Sequence, residues 1–184
     1  PRLMLDPAPK SAANAICWTR DALRIERVRA GSGWLRAIDP PPRSLIGKTV
    51  LVSDGMQVAN EPRGELRRVV AMKDRVIHLD RPIARHDYRR GQCALAPINV
   101  IEGVTIRDMT IASGPSGWSV YGKYLHGIRF ERCRFTGVCE INQSADVALV
   151  DCVGEHLKLN CTHDVQVQGG SWRRVSMEEC CADV

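Results

Sequence analysis

The chain has 184 residues, of which 44% are hydrophobic and only 5% aromatic, and its 5 Lys and 21 Arg outweigh 21 Asp and Glu to give a formal charge of +5. That length and apolar content suit one domain, or one domain with a small lead-in. There is no 18-residue apolar run to span a membrane and no basic-then-apolar leader, and scattered arginines without interleaved aromatics argue against a nucleic-acid partner while still allowing a polyanionic one.

Residues 1–44 read as an N-terminal arm. Pro7, Pro9 and the run Pro40-Pro41-Pro42 interrupt regular structure, residues 11–18 suit a short helix, and residues 22–28 alternate like a strand before the turn Gly31-Ser32-Gly33. Residues 45–97 read as a small antiparallel β unit. Its clearest hairpin joins residues 65–72 to 75–79 through Lys73-Asp74, with residues 46–52 as a further partner strand. Such a unit is expected to cap the first coil, with a binding role as the alternative.

Residues 98–184 carry a repeat. Four stretches beginning at Val104, Ile128, Val147 and Val165 each follow a Gly or an Asp and alternate apolar with polar, and their starts lie 24, 19 and 18 residues apart. Between them a second short alternation recurs at residues 118–121, 138–142, 157–160 and 175–178. Two short strands per period, with no 3.6-residue stripe, predict a parallel β-helix of about four coils and an all-β fold. Equivalent side chains then stack. One inward column holds Ile106, Phe130, Leu149 and Val167, and another holds Met109, Cys133, Cys152 and Gly170.

The turns repeat as well. Asn142 and Asn160 are expected to sit at left-handed corners and stack across two rungs, which explains their two N-x-Ser/Thr sequons better than glycosylation does. The eight cysteines are expected to be free thiols, in keeping with assembly in a reducing cytoplasm. Asp183-Val184 repeats the opening of a coil, so the coils are expected to continue beyond residue 184 or to be covered by a partner, with amide exchange fastest after Trp172.

These coils resemble the pectin-lyase-like superfamily of right-handed parallel β-helices, which includes pectate lyases, polygalacturonases and the tailspikes and depolymerases of bacteriophages. Residues 46–54, 64–70 and 76–83 are similar to the lead-in regions of that group. The resemblance, over residues 46 to 184, implies a structural and recognition module of a tailspike-like surface protein. It further implies a homotrimer or a larger virion assembly, on a virion or extracellular surface, that contacts a polysaccharide or host-surface glycan.

A carbohydrate needs aromatic faces and hydrogen-bonding side chains. The longest excursion from a coil, residues 112–126, supplies Trp118, Tyr121, Lys123, Tyr124 and His126 as candidate ligand contacts. The alternative is that Trp118 points into the coil and the tyrosines cover it. Glycoside hydrolysis needs two carboxylates, and Asp108 and Asp151 flank Arg132 at one repeat position, an outward ladder that makes them weak catalytic candidates. The paired aspartates and histidine-bearing motifs of polygalacturonases are absent, and no metal site or cofactor is indicated. The competing functions are a polysaccharide lyase or glycoside hydrolase whose active site lies outside or at the edge of this segment, and a virion scaffold without a ligand.

Overall fold

The computed structural model describes residues 3–5, 22–58, 61–84, 88 and 93–178. The expected helix at residues 11–18 and the end of the last coil lie outside them. The chain forms two units, one from residues 1–7 with 100–184 and one from residues 8–99. Apart from a 3-10 turn at Arg43–Leu45, the regular elements described are strands.

Strand β1 (Leu3–Leu5) belongs to the first unit, and the next six strands close an antiparallel barrel. These are β2 (Leu23–Arg27), β3 (Trp34–Ala37), β4 (Thr49–Val58), β5 (Glu61–Lys73), β6 (Val76–Leu79) and β7 (Cys93–Pro97), paired in the order β2-β3-β6-β5-β4-β7 and back to β2. The expected hairpin is β5–β6, turning at Asp74 in a left-handed conformation with φ 54°. The barrel also takes β2 and β3 from the stretch read as an arm, so the proline run connects two of its strands rather than bounding a domain. Closure pairs each of these strands on both sides over at least part of its length.

Ile25, Leu35, Val50, Val52, Val69, Ile77 and Leu95 fill the barrel. Glu65 and Arg67 share that inward side, because their partners across β4 are Val52 and Val50. A buried charge needs satisfied bonds, and this pair has them. Arg67 is ion-paired to Glu65, and its Nη1 donates to the Leu66 carbonyl (2.7 Å) while Nε and Nη2 donate to that of Pro82 (3.1 and 3.0 Å). Glu65 accepts from the Ala84 N–H (3.0 Å) and the Tyr88 hydroxyl (3.0 Å), which fastens the segment after β6 to the barrel.

The other unit is a solenoid of parallel strands. One sheet runs β1, β11 (Trp118–Lys123), β13 (Arg134–Asn142), β15 (Val153–Asn160) and β17 (Ser171–Glu178), with β10 (Thr110–Ile111) also on β13. The second runs from β8 (Ile101–Glu102) and β9 (Thr105–Arg107) through β12 (Leu125–Glu131) and β14 (Ala145–Val150) to β16 (His163–Gln168). The four repeats make four rungs of the second sheet, hence about three full turns rather than four.

The expected register holds: Ile128 pairs with Val147 and Val147 with Val165, while Phe130 pairs with both Ile106 and Leu149, and Leu149 with Val167. Phe130 and Leu149 are fully buried. Val167 departs from the expectation at 42% exposure, because β16 is the last strand of its sheet and has no rung beyond it among the described residues. For the same reason the second column is closed only at its centre. Cys133 and Cys152 are buried, whereas Met109 and Gly170 at the two ends are exposed.

The corners carry left-handed backbone in three columns: Gly103, Gly127, Asp146 and Asp164; Asp108, Arg132, Asp151 and Gly169; and Tyr124, Gln143 and Cys161. The asparagines are not at the bend. Asn142 and Asn160 end β13 and β15, pair in register and are buried, so the folded chain does not offer either amide to a glycan. Gly170 is forced by proximity as well as by its φ of 71°, since a Cβ there would lie 1.9 Å from the Cys152 carbonyl oxygen. At Gly154 a Cβ would meet the Trp172 ring at 2.4 Å. That glycine lies between Phe135 and Trp172 in one column, and the two rings close over it, stacked 5.4 Å apart.

The thiols are part of the packing. Cys133 Sγ donates to the Ile106 carbonyl and Cys152 Sγ to that of Phe130, each 3.5 Å away on the preceding rung. Burial pushes the Cys139 thiol far up, with Cys152 and Cys133 adding to the shift, so it stays protonated and inert. Cys93, Cys133, Cys139, Cys152 and Cys161 are buried and form no disulfide. Titration without reductant is expected to find close to all eight thiols in denaturant, and at least these five slow to react in the native protein. A count of one or two in denaturant would contradict a reduced chain.

Candidate functional site

Along β11, β13 and β15, alternation turns Val120, Cys139, Ile141, Leu157 and Leu159 into the core. The intervening residues line the outer face of the first sheet. There Tyr121, Glu140, Lys158 and Ser176 form one column, and Lys123, Asn142, Asn160 and Glu178 the next. Glu140 is the centre of a network. The Trp118 indole Nε1 donates to its Oε2 (2.8 Å), Asn142 Nδ2 donates to its Oε1 (3.3 Å), and Lys158 Nζ stands 3.6 Å from that same oxygen. Lys158 also pairs with Glu178 at 3.1 Å, and His156 Nε2 shares a hydrogen bond with Ser176 Oγ at 2.8 Å. The Glu140 side chain is 10% exposed, so its main work is to fix the indole and the ammonium above it.

Trp118 and Tyr121 meet edge to face, with ring centroids 6.3 Å apart and planes at 75°. The excursion before them is folded onto the next rung. Ser113 N–H donates to Thr136 Oγ1 (2.8 Å), Gly137 N–H to Ser119 Oγ (2.8 Å), and Val138 N–H to the Gly117 carbonyl (2.9 Å). Gly137 permits this approach: a Cβ there would lie 2.3 Å from the Gly117 oxygen and 2.5 Å from Ser113 Cβ. Gly137→Ala is therefore expected to lift the excursion and displace Trp118, at roughly 1–3 kcal/mol for an overpacked site. A crystal structure or Trp118 fluorescence unchanged from the parent would contradict this.

Of the five side chains singled out in the sequence, the structure brings together Trp118 and Tyr121, both half-buried. Lys123 is 3% exposed and Tyr124 fully buried, with the ammonium 4.9 Å from the tyrosine ring centroid in a cation–π contact. His126 lies on β12, in the second sheet, with Nδ1 3.8 Å from Glu102. Sequence reasoning missed Glu140, His156, Lys158 and Glu178. The signal was present in the second alternation, which places Glu140 beside Tyr121 once the rungs are aligned.

No protein-family model matches the sequence, and no curated protein matches it either. Solved structures do. The tailspike gp61 of Pseudomonas phage phi297 superposes on 87% of this chain with a TM-score of 0.61 at 14% identity. The tailspike gp49 of Pseudomonas phage LKA1 covers 82% with a TM-score of 0.50 at 13% identity. The fold is that of a phage tailspike. The chain spans about a third of the length of these tailspikes, 32% and 31% of the two chains.

On this tailspike fold the candidates Asp108, Arg132 and Asp151 fall in one corner column, each with a left-handed backbone. Arg132 grips Asp108 through two hydrogen bonds, Nε to Oδ1 at 2.6 Å and Nη2 to Oδ2 at 2.8 Å. Those bonds hold the Asp108 carboxyl below the usual carboxylate range and push the guanidinium up, Asp151 adding to the latter. A depressed carboxylate stabilises the fold above its unfolded pKa and loses that contribution as pH falls through the folded one. Here the groups are open to water, so the contribution is small and screened by salt. One guanidinium facing two exposed carboxylates gives no basis for an acid distinct from a base. Among the described residues, no three His, Cys, Asp or Glu side chains group to hold a metal ion.

Proposed function

We propose that this chain is a carbohydrate-contacting segment of a tailspike-like protein on a virion surface, assembled as a homotrimer, and that the outer face around Trp118, Tyr121 and Glu140 makes the contact. The observation that carries this reading is the aromatic pair anchored on a buried carboxylate, on the outside of a tailspike fold. A sugar ring stacks its apolar face on an indole or phenol, and its hydroxyls take hydrogen bonds from groups such as Lys158 and His156 beside them.

The test is a panel of bacterial surface oligosaccharides titrated against the parent chain and two variants. Trp118→Ala removes the stacking surface and is expected to weaken a binding glycan by roughly 10- to 100-fold, the range of an aromatic anchor. Glu140→Gln keeps the shape but loosens the indole and the ammonium, and is expected to weaken binding by roughly 5- to 10-fold. Binding unchanged in both variants would refute the assignment to this face. Chromatography of the polymer after incubation separates a binder from a depolymerase, and light scattering reports whether the chain is trimeric.

A further inference from the structure

We infer that the barrel carries a saccharide platform of its own, separate from the solenoid face, and that it takes an acidic glycan built on uronate-type sugars. The platform is the outer surface of β3, β6 and β5. In one row across these strands stand Trp34, His78 and Ala71, and in the next Arg36, Val76 and Lys73. Trp34 is 52% exposed, the residue after it is Leu35 with no exposure at all, and Ser32 Oγ both accepts from the Trp34 N–H (3.3 Å) and donates to its carbonyl (2.6 Å). An indole on a pinned strand of a closed barrel is a rigid stacking surface. Its direct neighbour across the strands is the exposed His78, and beyond that stand Ala71 and the exposed Val70, small residues at an irregularity in β5.

The second row supplies charge. Arg36 and Lys73 flank Val76 one pleat repeat, about 7 Å, from the aromatic row. Arg36 is held at 3.5 Å from Glu26 and is 58% exposed, so its guanidinium is oriented yet open to an anion. Charge is divided unevenly over the chain. Residues 8–99 hold 17 Lys and Arg against 9 Asp and Glu, a formal +8, while the solenoid unit holds 9 against 12, a formal −3. An anionic polymer is drawn to the barrel and not to the solenoid. One ring and two valines are too little apolar area for a protein partner, whose footprint is about 800 Å² a side. A single-stranded nucleic acid would ask for successive stacking rings. A sugar stacked on Trp34 with its carboxylate reaching Arg36 or Lys73 matches what the surface offers.

The experiment titrates the full chain with mannuronate and galacturonate hexamers, their methyl esters, and a 15-mer of deoxythymidylate. At least one acid hexamer is expected to bind at least tenfold more tightly than its ester. Trp34→Ala is expected to weaken that binding by tenfold or more, and Arg36→Gln with Lys73→Gln to abolish both the preference for the acid and the salt dependence. Thermal melts of each variant confirm that the barrel is folded. Trp118→Ala is expected to leave the hexamer titration unchanged, which keeps this platform distinguishable from the solenoid face. The inference is overturned if neither acid hexamer binds, if acid and ester bind alike, if folded Trp34→Ala binds as the parent does, or if the oligonucleotide binds more tightly than both hexamers.

Discussion

Leu149→Asp is expected to unfold the solenoid. Leu149 has no exposure and lies between Phe130 and Val167 in the inward column of the second sheet. The neighbours on its inward side are apolar residues and thiols, so a carboxylate placed there finds no partner. Loss of the leucine contacts costs about 2–5 kcal/mol and an unpaired buried charge several more, together comparable to the whole stability of a small domain, about 5–15 kcal/mol. Urea titration followed by circular dichroism reads the effect. Leu149→Met keeps volume and polarity and is expected to cost less than about 1.5 kcal/mol. If the aspartate variant retained its parent midpoint, the side chain would have to face water and the whole register would be wrong by one residue.

The second large effect is in the barrel. Arg67→Met is expected to destabilise it by about 3–5 kcal/mol, because it breaks the buried ion pair with Glu65 and strips the Leu66 and Pro82 carbonyls of their donors. The double variant Glu65→Met with Arg67→Met is expected to recover part of that loss, since an apolar pair of similar size removes both charges from the interior. Recovery is incomplete because the Pro82 carbonyl, the Ala84 N–H and the Tyr88 hydroxyl would all lose bonds. A double-mutant cycle measured in urea reads the coupling directly. Additive single effects, within about 0.5 kcal/mol, would show that the two charges do not depend on each other.

The solenoid was the more legible unit because its strands obey a local rule repeated four times, and Ile128, Val147 and Val165 align by counting alone. The barrel's closure is a non-local fact. Nothing near residues 23–27 says that Leu23 will pair with Leu95, and the prolines at 40–42 look the same as a linker or as a connection between strands. At the solenoid face the difficulty was one of direction. Lys123 and Tyr124 are adjacent to Trp118 and Tyr121 in sequence, yet the left-handed corner at Tyr124 turns the chain into the next sheet and leaves that ring buried. Glu140, 22 residues from Trp118, reaches the indole because a coil has brought it back.

The pairing of β1 with β11 bears on how the chain reaches this structure. Leu3–Leu5 is hydrogen-bonded beside Trp118–Lys123, so this strand waits for one more than a hundred residues later. Closing so long a loop is entropically expensive and slow. The barrel shortens the wait, because the Leu23–Leu95 pair brings its incoming and outgoing strands side by side. Once the barrel has formed, the length of chain to be closed between β1 and β11 falls to about a third, which lowers the entropic cost of closure by about 1 kcal/mol. The inserted barrel thus acts as a clamp on the chain, completed before β11 is made, that shortens the loop β1 must close.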